Sequence, residues 1–71
     1  MSNYDYELSV LLSEAADDLE QNLDMKLTDT IHDCIYYGQY KMAYELMAES
    51  CREAGLEPGL NLAEAGRRLR P

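Results

Sequence analysis

Apolar residues recur along this chain at the three- and four-residue steps that line one side of an α-helix. Tyr4, Leu8, Leu11, Leu12, Ala15, Ala16, Leu19 and Leu23 fall in one sector, centred near Leu8 and Leu19. Glu7, Glu14, Asp17, Asp18 and Gln21 lie off that sector as an acidic stripe, and Tyr6 and Val10 also lie off it. Asn3 or Asp5 can cap the start, because a short polar side chain accepts from the first unpaired backbone N–H groups. Asn22 to Leu27 reads as a break, with Asp24 or Thr28 as the next N-cap. Leu27, Ile31, Cys34 and Ile35 then form a second helical stripe, which Gly38 ends.

The third pattern is the clearest. Tyr40, Ala43, Tyr44, Met47, Cys51 and Ala54 share a face flanked by Leu46 and Ser50. Lys41, Glu45, Glu49 and Arg52 line the other, spaced for a Lys41–Glu45 and a Glu49–Arg52 pair. Gly55 followed by Leu56 fits a glycine C-cap with an apolar residue folding back. After Glu57-Pro58-Gly59, a last short helix from Asn61 or Leu62 to Leu69 turns Leu62, Ala65, Gly66 and Leu69 inward, with Arg67, Arg68 and Arg70 in its last turn. No alternating strand pattern, repeat or low-complexity segment interrupts this. The expectation is an all-α fold: one domain over residues 1–71, a small antiparallel bundle of three longer helices plus a short C-terminal helix.

Size narrows what such a fold does. A chain of 71 residues buries only roughly 60% of its unfolded surface. It has little core to spare for a deep substrate cleft. The hydrophobic fraction of 46% still argues for a folded protein. No segment reads as a signal peptide and no apolar run reaches membrane length, so the expected compartment is the cytoplasm, with reduced thiols. Cys34 and Cys51 both fall on core faces, where free cysteine acts as a small hydrophobe.

Charge changes the picture more than size does. Residues 1–33 hold nine acids (Asp5, Glu7, Glu14, Asp17, Asp18, Glu20, Asp24, Asp29, Asp33) and one base, Lys26, so 1 − 9 = −8. Residues 34–71 hold five acids and five bases, so the whole formal charge of −8 sits in the first half. A field of that sign repels nucleic acid and anionic membrane and attracts a basic surface. Direct nucleic-acid binding is the reading it disfavours most.

Catalytic and metal chemistry find little to use. His32 is the only histidine, and Cys34, two residues on along a helix, points elsewhere. One histidine and two core thiols make no zinc set, and no loop carries calcium-binding spacing. Glu14, Asp17 and Asp18 could gather a divalent ion weakly, but read more simply as a solvated helix face. No enzyme activity, cofactor or metal is expected.

The candidate partner-binding residues are therefore surface ones. Glu7, Glu14, Asp17 and Asp18 form one patch on the first helix. Asp29, Asp33, Tyr36 and Tyr37 form a second on the side of helix two opposite its apolar stripe. An amphipathic ring beside a carboxylate suits capture of Arg or Lys from a partner; the plainer alternative is that Tyr37 covers the turn into helix three. Tyr40 and Tyr44, by contrast, read as structural.

The helix two–three junction, Asp33-Cys-Ile-Tyr-Tyr-Gly38-Gln39-Tyr40-Lys-Met-Ala43-Tyr44-Glu45-Leu46-Met47, resembles the helical immunity proteins of bacterial polymorphic-toxin and contact-dependent inhibition systems, especially those of MafI type. They carry a Gly-Glu-Tyr-x-x-Ala-x-Glu-x-Leu stretch between two helices. Gly38, Tyr40, Ala43 and Glu45 match it, Gln39 replaces the Glu, and Met47 stands at the Leu position. The resemblance implies a protein that binds and blocks a cognate toxin, many such toxins being basic nucleases. It leaves the contact residues open, because immunity surfaces differ from pair to pair. Two other expectations are compatible with the charge and the surplus apolar residues. One is an acidic, nucleic-acid-mimicking inhibitor of phage type. The other is a homo-oligomeric helical module that buries Val10, Met42 and the extra tyrosines. As an inhibitor the chain would be a monomer or a weak homodimer.

Overall fold

Two carboxylates start the first two helices. The computed structural model describes residues 5–69; Asn3, Tyr4 and Arg70 lie outside them. The Asp5 side chain accepts from the Leu8 N–H at 3.0 Å, opening α1 (Tyr6–Leu19). Asp24 accepts from Leu27 N–H at 2.8 Å, opening α2 (Met25–Tyr36). Each satisfies a donor that the helix start would otherwise leave unpaired. Between them lies a single 3-10 turn, Glu20–Asn22, which shares only Asn22 with the expected break. Of the two expected N-caps, Asp24 and Thr28, it is Asp24 that opens α2.

The ends of α2 and of α3 (Tyr40–Ala54) repeat one geometry. Gly38 and Gly55 take φ of 78° and 70°, a left-handed conformation that costs glycine nothing. The N–H of the following residue then reaches back five residues, Gln39 to the Cys34 carbonyl and Leu56 to the Cys51 carbonyl, both at 2.8 Å. Leu56 folds onto the core as expected, while Ala54 is exposed and not on the buried face. Ala54 stands in the last turn of α3, at the end of the bundle, and Leu56, folding back past Gly55, supplies the apolar contact there instead. The fourth helix, α4 (Gly59–Leu69), starts before the expected Asn61 and at 11 residues is only one shorter than α2.

The four helices run alternately up and down. The Asp5 N–H donates to the Tyr40 hydroxyl at 3.3 Å, placing the starts of α1 and α3 at one end. Arg68 reaches Glu7 at 3.6 Å, and Asn61 donates to Asp18 at 3.2 Å, so α4 lies antiparallel along α1. α1 packs most extensively on α4 and α2 on α3. The core takes one large side chain from each helix: Leu12, Ile31, Met47 and Leu62 are its largest fully buried members. Burying each contributes about 1.5–3 kcal/mol. The all-α antiparallel bundle is thus the observed fold, with no strand among the described residues.

One close approach positions α4. A Cβ on Gly66 would lie 2.7 Å from the Tyr44 hydroxyl oxygen and 2.8 Å from its Cε1. Only the missing side chain lets the ring of α3 lie against the backbone of α4. Around this core, Cys34 and Cys51 are buried free thiols, and burial pushes the Cys51 thiol up from its ordinary value of 9.0.

Candidate functional site

The exposed sides of α1 and α2 carry the acids, but the fold divides them differently from the sequence. Glu7, Glu14 and Asp18 follow one another at helical steps of seven and four on the side of α1 that borders α4. Glu7 is in an ion pair with Arg68, whose guanidinium also reaches Glu64 at 3.6 Å. Asp18 accepts from Asn61. This part of the expected first patch is thus engaged by the protein's own fourth helix, with Glu14 between the two contacts and exposed.

Asp17 departs from that group. It sits one turn on from Ser13 and two from Ser9, exposed on the same side of α1 as these serines. The seam between α1 and α2 holds a groove beside those serines, and a second lies where the 3-10 turn meets α2, each of about 410 Å³. Ser9, Ser13, His32, Ile35 and Tyr36 line one, and Glu20, Leu23, Met25, Thr28 and Asp29 line the other. The small serines open the first groove because they leave room that larger side chains would fill. Ser9 is nearly buried, and its hydroxyl donates to the Tyr6 carbonyl at 2.8 Å.

The α2 side of the seam is a continuous outward stripe. Met25, Asp29, His32 and Tyr36 follow at steps of four, three and four, with Asp33 one turn beyond Asp29. All five are exposed, Met25 at 79% and Tyr36 at 80%. Tyr37, at 73%, meets Tyr36 edge to face, the ring centroids 5.0 Å apart and the planes at 85°. Asp29, Asp33, Tyr36 and Tyr37 thus share the exposed side of α2, while Asp17 lines neither groove. Tyr37 is too exposed to act as a lid on the turn. Sequence reasoning missed Ser9, Ser13, Glu20, Met25 and His32. The helical spacing of Ser9, Ser13, Asp17 and Glu20 was the available signal.

Negative charge also reaches further than the first half of the chain. Glu53 of α3 borders a surface depression with Asn22, Leu23, Asp24 and Leu27, at the end where α1 stops and α2 starts. Arg67 and Arg68 stand at the other end, near Glu7. The acidic surface is therefore tilted toward the α1–α2 turn, not spread evenly over two helices. The expected Lys41–Glu45 and Glu49–Arg52 pairs do not form; the ion pairs among the described residues all involve Arg67 or Arg68. Exposed charges at helical spacing gain little by closing on each other.

His32 shares a groove with Ser9 and Ser13, and the Ser9 hydroxyl donates to the Tyr6 carbonyl. Among the described residues no three His, Cys, Asp or Glu side chains converge as a metal ion requires, and no helix is long and apolar enough to cross a membrane. Comparison with protein-family models, curated proteins and solved structures finds no match to this chain.

Proposed function

We propose that this chain is an immunity protein that captures a cognate bacterial toxin, a basic nuclease domain, and neutralises it in the cytoplasm without chemistry of its own. One observation carries the reading: exposed carboxylates stand where folding alone does not favour them. Asp17 and Asp18 occupy the last turn of α1, where there is no basic residue; Asn61 of α4 donates to Asp18, while among the described residues no side-chain hydrogen bond or ion pair engages Asp17. The helix dipole disfavours anions there by a few tenths to about 1 kcal/mol each. A binding role accounts for them, because a concentrated negative surface steers a basic partner into contact and raises the rate of capture. The resemblance of the Gly38–Met47 stretch to MafI-type immunity proteins supports the same reading and supplies the class of partner.

The test is protection. Cells producing a basic toxin domain encoded beside this chain should survive when the chain is co-produced. Asp29→Lys combined with Asp33→Lys should weaken capture at least tenfold and flatten its dependence on salt. Protection that is absent, or unchanged in the double variant, contradicts the reading. Self-association is a second reading, supported by half-exposed Met42 and exposed Tyr6 and Tyr37. A formal charge of −8 on each copy works against it.

A further inference from the structure

The residues bordering the α1–α2 seam select a partner by its chemistry. Two features stand together there: rings and a methionine left open to solvent, and carboxylates that form no ion pair among the described residues. Tyr36 and Tyr37 present two aromatic planes nearly at right angles. Asp33 lies one turn and Asp29 about two turns from them on α2. An aromatic face attracts cations, and a flanking carboxylate completes the charge pair. Of the two basic side chains, arginine fits better: its guanidinium is planar, weakly hydrated and stacks on rings while still donating to a carboxylate.

We propose that the α1–α2 seam is the docking surface for an arginine-bearing helix of a basic partner protein, with guanidinium groups on Tyr36 and Tyr37 and their charge met by Asp29 and Asp33. This rests on the reading of the chain as a capturer of a basic protein, and says which surface does it. The 12 residues of α2 span about 18 Å, the length of three turns of a facing helix. Met25 at one end and Tyr36 at the other supply apolar contacts that a bare polycation or metal ion would not use. Nucleic acid is repelled by the same carboxylates, and a second copy of this chain would set like charges against each other. The opposite side of α1 is a poorer surface, since Arg68 and Asn61 already engage its acids.

The experiment titrates the whole ¹⁵N-labelled chain with two synthetic amphipathic peptides about three helical turns long. They are identical except that every arginine in one is lysine in the other. Amide shifts should concentrate on α2 and on Ser9 and Ser13, and the arginine peptide should bind about two- to fivefold tighter. Tyr36→Ala with Tyr37→Ala should remove that preference while leaving the circular dichroism unchanged, because both rings are exposed. Glu14→Gln with Asp18→Asn should leave the preference intact. Absence of binding by either peptide, equal affinity for both, shifts centred on α3 or α4, or a double tyrosine variant that binds like the parent would each overturn the proposal. The two claims separate cleanly. If peptide docking behaves as stated and toxin protection fails, the immunity reading falls alone. If protection holds equally in the tyrosine variant, the docking surface falls alone.

Discussion

Asp17 shows what single residues contribute to this protein. It stands in the last turn of α1 with no basic residue in that turn, so it opposes the helix dipole. Asp17→Lys should raise stability by about 0.3–1 kcal/mol at low ionic strength, read from the urea midpoint, while weakening capture of the basic partner. A variant that loses stability would show that Asp17 has a structural role. At this scale much was legible from sequence. Asp5 and Asp24 were each one of two cap candidates, beside Asn3 and Thr28, because a short polar side chain ahead of an apolar-periodic segment readily serves as a cap. The exposure of Tyr36 and Tyr37 followed from their distance from the Ile31–Ile35 stripe. What one residue could not reveal was its neighbour on another helix. Glu7 and Asp17 looked alike in the sequence, yet Glu7 meets Arg68 while Asp17 stands exposed in the last turn of α1.

Between helices, a small residue and a ring decide how α4 sits. Gly66→Ala would press a methyl group into Tyr44, which already lies within van der Waals contact of the backbone. Overpacking of this kind costs about 1–3 kcal/mol, against which alanine returns about 1 kcal/mol of helix propensity. The expected net loss is up to about 2 kcal/mol. Tyr44→Leu in the same chain should recover much of it, giving a clear non-additivity in chemical denaturation. Additive effects would mean that the ring is not what fills the space. Gly66 was assigned inward from its spacing with Leu62 and Ala65, but nothing in the sequence said which ring it receives. The helix boundaries show a similar division. The Gly38 and Gly55 stops were readable because left-handed turns favour glycine. The start of α4 at Gly59 was not, since Pro58-Gly59 has the composition of a loop and serves here as a helix entry.

For the whole molecule, charge and shape act together. The sequence divides into a half with net charge −8 and a neutral half, and the natural inference is an acidic face on the first two helices. Folding alters that division by laying α4 and its arginines along one flank of α1 and by carrying Glu53 to the α1–α2 turn. Asp29 and Asp33, which form no ion pair among the described residues, stand on the same exposed side of α2 as the tyrosines. Such an arrangement depends on which helices become neighbours, and that is settled by how four apolar stripes share one core. The measurement that tests this most directly is affinity capture from the source cells on the parent chain and on one carrying Asp29→Lys, Asp33→Lys and Tyr36→Ala, with mass-spectrometric identification of what each retains. The account predicts that the parent holds a protein with a basic domain, releases it as salt rises, and that the triple variant fails to hold it. Retention of the same protein by both chains, or of no basic protein by the parent, would contradict it.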